Sequence, residues 1–255
     1  MRTGISCMVA MTSGCCLILA TGTLCMADPA KPLRIVAFGD STTFTRDNVR
    51  QVYAQRLAEE LPRRGMFVTV INRGMPSNDT AGALARIERD VVREKPDLVI
   101  VQFGINDASV DVWKNPRPSR PRIELADFRA NLEKIVRILR QSGASVILMT
   151  PNSMRWTKAI KEMYGKPPYK PDDADGFNVL LKDYAQAVRD IAEREKIPLV
   201  DVYAAFEDYG REPKQSVEEL LVDGVHPGAR GHEIVARLLV GQIAPHSDSH
   251  KTPHP

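Results

Sequence analysis

No cysteine follows residue 25: Cys7, Cys15, Cys16 and Cys25 all lie within the first 27 positions. A domain beginning at Asp28 therefore has no thiol to form a disulfide or ligate a metal, and its stability rests on its core. Charge of one sign is lacking too, with 35 Lys and Arg against 32 Asp and Glu. No basic stripe interleaved with aromatics occurs, so the composition points to no nucleic-acid partner. Removing Arg2, the only charged residue before Asp28, takes the formal charge from +3 to +2. Two signatures are missing as well. No Gly-x-Ser-x-Gly elbow occurs, which argues against the α/β-hydrolase architecture. His232-Glu233 opens like a zinc-protease helix, but Ala236 stands where the second histidine is required, so neither metal nor cofactor is expected.

What is present begins with an export signal. Arg2 gives a thin positive start, residues 9–24 are apolar and small, and Cys25-Met26-Ala27 ends the run with small residues three and one before Asp28. Residues 1–27 are therefore predicted to be a cleaved signal peptide, placing the protein in the periplasm or outside the cell without stable membrane association. An uncleaved anchor is the competing reading, countered by Thr12, Ser13, Thr21 and Thr23 inside the run. Lipidation is the lesser alternative, since Gly22 and Thr12 stand where an aliphatic residue should precede Cys25 and Cys15.

The remainder suits one α/β domain, predicted over 28–244, followed by a polar, disordered tail over 245–255. Strands are predicted over 33–38, 67–71, 98–103, 145–149 and 198–202. Helical spacing occupies 49–64, 79–94, 125–141, 177–195, part of 204–221, and 232–243. This alternation implies a parallel five-stranded sheet with helices on both faces, a three-layer αβα sandwich. Functional groups in such sheets gather at the carboxyl ends of the strands. Ser41, Gly74, Asn106 and the segment after Pro151 all fall there.

A serine hydroxyl attacks a carbonyl only if a base takes its proton and a carboxylate holds that base in the right tautomer. Of five histidines, His246, His250 and His254 lie in the tail and His232 on the last helix, leaving His226 in a loop. Asp223, three residues earlier, can reach its imidazole from the same turn. The oxygen that gains charge needs donors already aimed at it. Three candidates are the N–H of Ser41 near a helix amino terminus, the backbone at Gly74, and the Asn106 amide. Asp40 and Asp107 point away from the site and are assigned to loop stabilisation.

Gly39-Asp40-Ser41-Thr42, Gly74, Gly104-Ile105-Asn106-Asp107 and Asp223-Gly224-Val225-His226-Pro227 together resemble, in order, blocks of the SGNH hydrolases, also called GDSL esterases and lipases. The resemblance implies a flavodoxin-like fold, Ser41 as nucleophile, His226 and Asp223 as base and orienter, and Ser41, Gly74 and Asn106 as the oxyanion hole. Thr42 replaces a more usual leucine or isoleucine, and Gly74-Met75-Pro76-Ser77-Asn78 replaces a more glycine-rich block. Thr42 and Thr43 resemble the carbohydrate esterases of the family.

Two long loops complete the reading. Trp113, Arg117, Arg120 and Arg122 in one, and Arg155, Trp156, Tyr164 and Tyr169 in the other, either form a rim that stacks sugars or pin the loops to the domain. Thr42, Trp113, Trp156, Tyr164 and Tyr169 are the substrate-contact candidates. The expected partner is a small-molecule or polysaccharide ester, with short acyl groups such as acetate on carbohydrate preferred. A lipase or thioesterase for longer chains, an acyltransferase, and a carbohydrate-binding module with an idle site are the rivals.

Overall fold

Alternation of side chains along each strand builds the architecture. In the computed structural model, which describes residues 31–244, β1 spans Leu33–Gly39. Val36 and Phe38 point to one face of the sheet, Ile35 and Ala37 to the other, and all four are buried. Both faces must therefore be covered. The segments 1–27 and 245–255 lie outside the described residues.

The order continues with α1 (Tyr53–Arg63), β2 (Val68–Gly74), α2 (Thr80–Asp90), β3 (Leu98–Gln102), α3 (Leu125–Gln141) and β4 (Ser145–Met149). Then follow α4 (Lys158–Tyr164), α5 (Leu181–Arg194), β5 (Leu199–Val200), α6 (Val202–Arg211) and α7 (Ala229–Ile243). All strand pairs are parallel, in the order β2-β1-β3-β4-β5. This is the flavodoxin-like order, and its topological reversal falls between β1 and β3.

Helices α2, α3 and α5 cover one face. Ala83, Ile87, Phe128, Leu132, Ile135 and Val188 meet Val36, Phe38, Val99, Val101 and Leu148 there. Helices α1, α6 and α7 cover the other, where Leu57, Leu61, Phe206, Val235 and Leu239 meet Ile35, Ile100, Ile147 and Val200. Each fully buried Leu, Ile or Phe contributes roughly 1.5–3 kcal/mol. The sandwich predicted from sequence is the one observed.

Several boundaries differ, each for a local reason. Helix α1 starts four residues later than predicted because the Gln55 side chain accepts the N–H of Val52 and fixes the start there. The pairing of β1 with β2 runs on to Gly39 opposite Gly74, so β2 outlasts its apolar residues. Helix α2 ends at Asp90, and a short 3-10 turn, Val92–Glu94, fills the stretch to Pro96. Strand β5 has two residues because Asp201 caps α6, its carboxylate accepting the Ala204 N–H at 3.1 Å. Helix α5 starts at Leu181, since Asn178 exchanges hydrogen bonds with the backbone N–H and carbonyl of Met154. The segment after Pro151 is not all loop: Thr157 caps α4 within it.

Candidate active site

The turn after β1 sets the geometry. The carbonyl of Asp40 accepts the N–H groups of Thr43 and Phe44, both at 3.2 Å, and so folds residues 40–44 into one tight turn. Asp40 Oδ1 accepts the Thr42 N–H and lies the same 2.8 Å from the Thr42 hydroxyl. Asp40 thus braces the turn. Burial pushes its carboxyl up, while Thr42, the His226 ring and the Asn106 amide oppose that shift. Gly39 must be glycine, because a Cβ there would lie 2.2 Å from Thr43 Oγ1. No helix begins at Ser41, so the predicted dipole contribution is absent; the exposed polar residues around Asp47 keep the chain irregular until α1.

Ser41, half-buried, presents Oγ 2.9 Å from Nε2 of His226, although 185 residues separate them in the chain. His226 Nδ1 lies 2.7 Å from Asp223 Oδ2. A carboxylate can only accept, so Nδ1 carries the hydrogen and Nε2 is free to accept from Ser41. Asp223 Oδ1 also accepts the N–H groups of Val225 at 3.0 Å and His226 at 2.8 Å, which shapes the loop around the carboxylate. Partial burial raises the Asp223 carboxyl, but the bonds from His226 and Val225 outweigh it and hold the group below the usual range. Gly224 supplies the left-handed residue, φ +88°, that this loop needs.

The other histidine of the described residues has a packing role. His232 is buried, its Nδ1 accepts the Tyr53 N–H at 3.2 Å, and burial followed by the charges of Arg56 and Arg46 holds it down at about 3.

On the opposite side, Asn106 is buried beside Asp40, its Nδ2 donating to the Asn78 carbonyl at 3.1 Å and its Oδ1 accepting from Arg122 Nη1 at 2.9 Å. Gly74 ends β2 beside the Ser41 turn. Its N–H donates to Asn72 Oδ1 at 2.8 Å and is engaged. Its missing side chain permits the close approach expected of it, since a Cβ would lie 2.4 Å from the backbone nitrogen of Phe44.

The substrate-contact candidates separate. Thr42 is 2 % exposed, its hydroxyl lying between Asp40 and Gln102 Oε1, so it presents nothing to a ligand. Tyr169 is 5 % exposed and its hydroxyl accepts the Val110 N–H at 2.9 Å, tying the two long loops together. Trp156 stacks on Phe177 at 4.7 Å and donates to the Asp173 carbonyl, and Tyr164 packs edge-on against Tyr169 at 5.7 Å. These rings pin loops to one another. Trp113 differs, being 50 % exposed, with its indole N–H 3.3 Å from the Tyr164 hydroxyl.

Sequence reasoning missed the groups that hold the His226 loop. Asn152, fully buried after β4, donates to the Val225 carbonyl at 2.8 Å, and the Arg155 N–H donates to the Gly224 carbonyl at 2.8 Å. Arg155 is itself held by both oxygens of Glu207. Only the position of Asn152 just beyond a strand end signalled this. A cavity of about 540 Å³ lies at the opposite edge of the sheet among Leu33, Leu98, Ile147, Pro198 and Ile243, and none of the candidate residues lines it.

A parallel sheet of this order, carrying a Ser-His-Asp relay at its carboxyl edge, is the arrangement of a serine hydrolase. The chain belongs to the GDSL-like lipase/acylhydrolase family, whose sequence model matches residues 37–234, and it is a hydrolase acting on ester bonds. An acetylxylan esterase of Geobacillus stearothermophilus is 28 % identical over 179 residues, covering 69 % of this chain and 72 % of that one. An uncharacterised lipoprotein of Bacillus subtilis is 29 % identical over 222 residues, covering 82 % and 89 %. The crystal structure of an acetylxylan esterase from G. stearothermophilus superposes with a TM-score of 0.67 at 25 % identity, covering 84 % of this chain and 94 % of that one.

Proposed function

We propose that this esterase removes short acyl groups, acetyl above all, from a carbohydrate, and that it does so after export. The observation that carries the chemistry is the continuous relay from Ser41 Oγ through the His226 ring to Asp223, with contacts of 2.9 and 2.7 Å. The acetylxylan esterase relatives support acetylated sugar as substrate, and the half-exposed indole of Trp113 offers a face on which a sugar ring can stack. The signal-like residues 1–27 and the lipoprotein relative support export to the periplasm or beyond.

In the reaction Ser41 Oγ bonds to the ester carbonyl carbon while its proton passes to Nε2 of His226. Charge on the carbonyl oxygen is met by the Ser41 N–H and the Asn106 amide. The intermediate collapses as His226 returns the proton to the departing sugar oxygen, leaving acetyl on Ser41. Water then attacks with His226 again as base, releasing acetate and restoring the serine. Asp223 holds the imidazole throughout and stabilises its charged form.

Purified residues 28–255 should release acetate from acetylated xylo-oligosaccharides and hydrolyse nitrophenyl acetate, and Ser41→Ala should abolish both. Activity that climbs with acyl length would overturn the short-acyl reading. Sequencing the amino terminus of the protein recovered from the cell exterior should give Asp28.

A further inference from the structure

An asparagine amide serves as an oxyanion donor only if its nitrogen, not its oxygen, faces the reacting carbonyl. Two contacts decide this for Asn106. The Asn78 carbonyl can only accept, and it takes Nδ2 at 3.1 Å; the Arg122 guanidinium can only donate, and it takes Oδ1 at 2.9 Å. A flipped amide would lose both bonds.

Arg122 is equally constrained. Its Nη2 and Nε bond the Asp111 carboxylate at 2.7 and 3.1 Å, and that carboxylate is 4 % exposed and further bound by Lys114 at 2.6 Å. Its backbone N–H donates to the Ser109 carbonyl, and the next N–H, of Ile123, to the Asp107 carbonyl. The end of the Pro-rich loop is thereby stitched to the turn that carries Asn106. Neighbouring Arg120, by contrast, has a side chain 82 % exposed.

We propose that Arg122 is a positioning residue for ester hydrolysis: held by Asp111, its guanidinium locks the Asn106 amide in the donor orientation and polarises it toward the developing oxyanion. A charged donor on an amide oxygen withdraws electron density and strengthens the bond that the amide nitrogen gives. The benefit grows with charge on the substrate oxygen, so it falls on the transition state more than on substrate binding. The proposal rests on the reading of Asn106 as an oxyanion donor.

A double-mutant cycle on nitrophenyl acetate tests it, using Arg122→Met, Asn106→Ala and the pair, with Arg122→Gln and Arg122→Lys alongside. Arg122→Met should lower kcat on the order of tenfold with KM nearly unchanged, less than the hundred- to thousandfold expected for losing the donor itself. Arg122→Lys should recover part of the loss, and Arg122→Gln, which keeps a donor but no charge, less. In the Asn106→Ala background Arg122→Met should change nothing further. If folded Arg122→Met keeps wild-type kcat, or if its loss persists undiminished without Asn106, the proposal is overturned. Should Arg122→Met fail to fold, Arg122→Gln carries the same cycle by the same criteria. Wild-type turnover in Asn106→Ala alone overturns the oxyanion reading, an outcome distinct from failure of Arg122.

Discussion

The backbone N–H of Arg155 donates to the carbonyl of Gly224 at 2.8 Å, joining the segment after β4 to the loop that presents His226. Gly224 sits at φ +88°, and a Cβ on it would lie 2.4 Å from the Arg155 carbonyl oxygen. The loop that presents His226 and the insertion are therefore built against each other. Gly224→Ala should strain this contact and cost about 1–3 kcal/mol of local stability. Its kcat should fall while circular dichroism stays unchanged; full activity would show that the loop tolerates the shift.

Asp223→Asn tests the relay directly. An amide nitrogen facing Nδ1 favours the tautomer with its hydrogen on Nε2, which then cannot accept from Ser41. Turnover on nitrophenyl acetate should drop on the order of a thousandfold or more, with KM little changed. A loss below tenfold would mean that His226 is oriented by the loop alone.

Asp107 sets a pH dependence of stability. It is fully buried, one oxygen accepts the N–H and hydroxyl of Thr80, and burial, partly offset by those bonds, pushes its pKa to about 6. The folded value is raised above the unfolded one, so the group's stabilisation is present below the unfolded value near 3.8 and is lost as pH rises through about 6. Relative to Asp107→Asn, which does not titrate, the wild type should lose on the order of 3 kcal/mol between pH 4 and pH 7. Urea melts of both proteins across this range should show the wild type losing stability relative to the variant as pH rises; a constant difference would rule out titration of Asp107.

Tyr169 and Trp113 should respond oppositely. Tyr169→Phe leaves the buried Val110 N–H without its acceptor and should cost about 1–3 kcal/mol of stability, read as a lowered Tm. Its kinetics should remain near wild type. Trp113→Ala should raise KM for acetylated xylo-oligosaccharides severalfold while leaving nitrophenyl acetate hydrolysis unchanged. Equal effects on both substrates would remove Trp113 from sugar recognition.

The sequence by itself determined the layers and the order of the site. Apolar runs of strand length, separated by helices of 3.6-residue period, left a parallel sheet as the arrangement that buries both faces. Strand ends then placed Ser41, Gly74 and Asn106 at one edge, elimination among the histidines left His226, and the short spacing of Asp223 from His226 made their pairing a local matter. Tertiary structure decided what each neighbour does. Whether Thr42 meets substrate depended on Gln102 of β3, 60 positions away, and whether the aromatics form a rim depended on how Trp156, Tyr164 and Tyr169 pack on Phe177. How the Gly74 N–H is held depended on the side chain of Asn72. Arg122 reads as one arginine among three in a surface loop, and only the folded chain brings its guanidinium to Asn106. Periodicity reports which face of an element is buried because burial repeats along the chain. A single long-range hydrogen bond repeats nowhere, so only the fold reveals it.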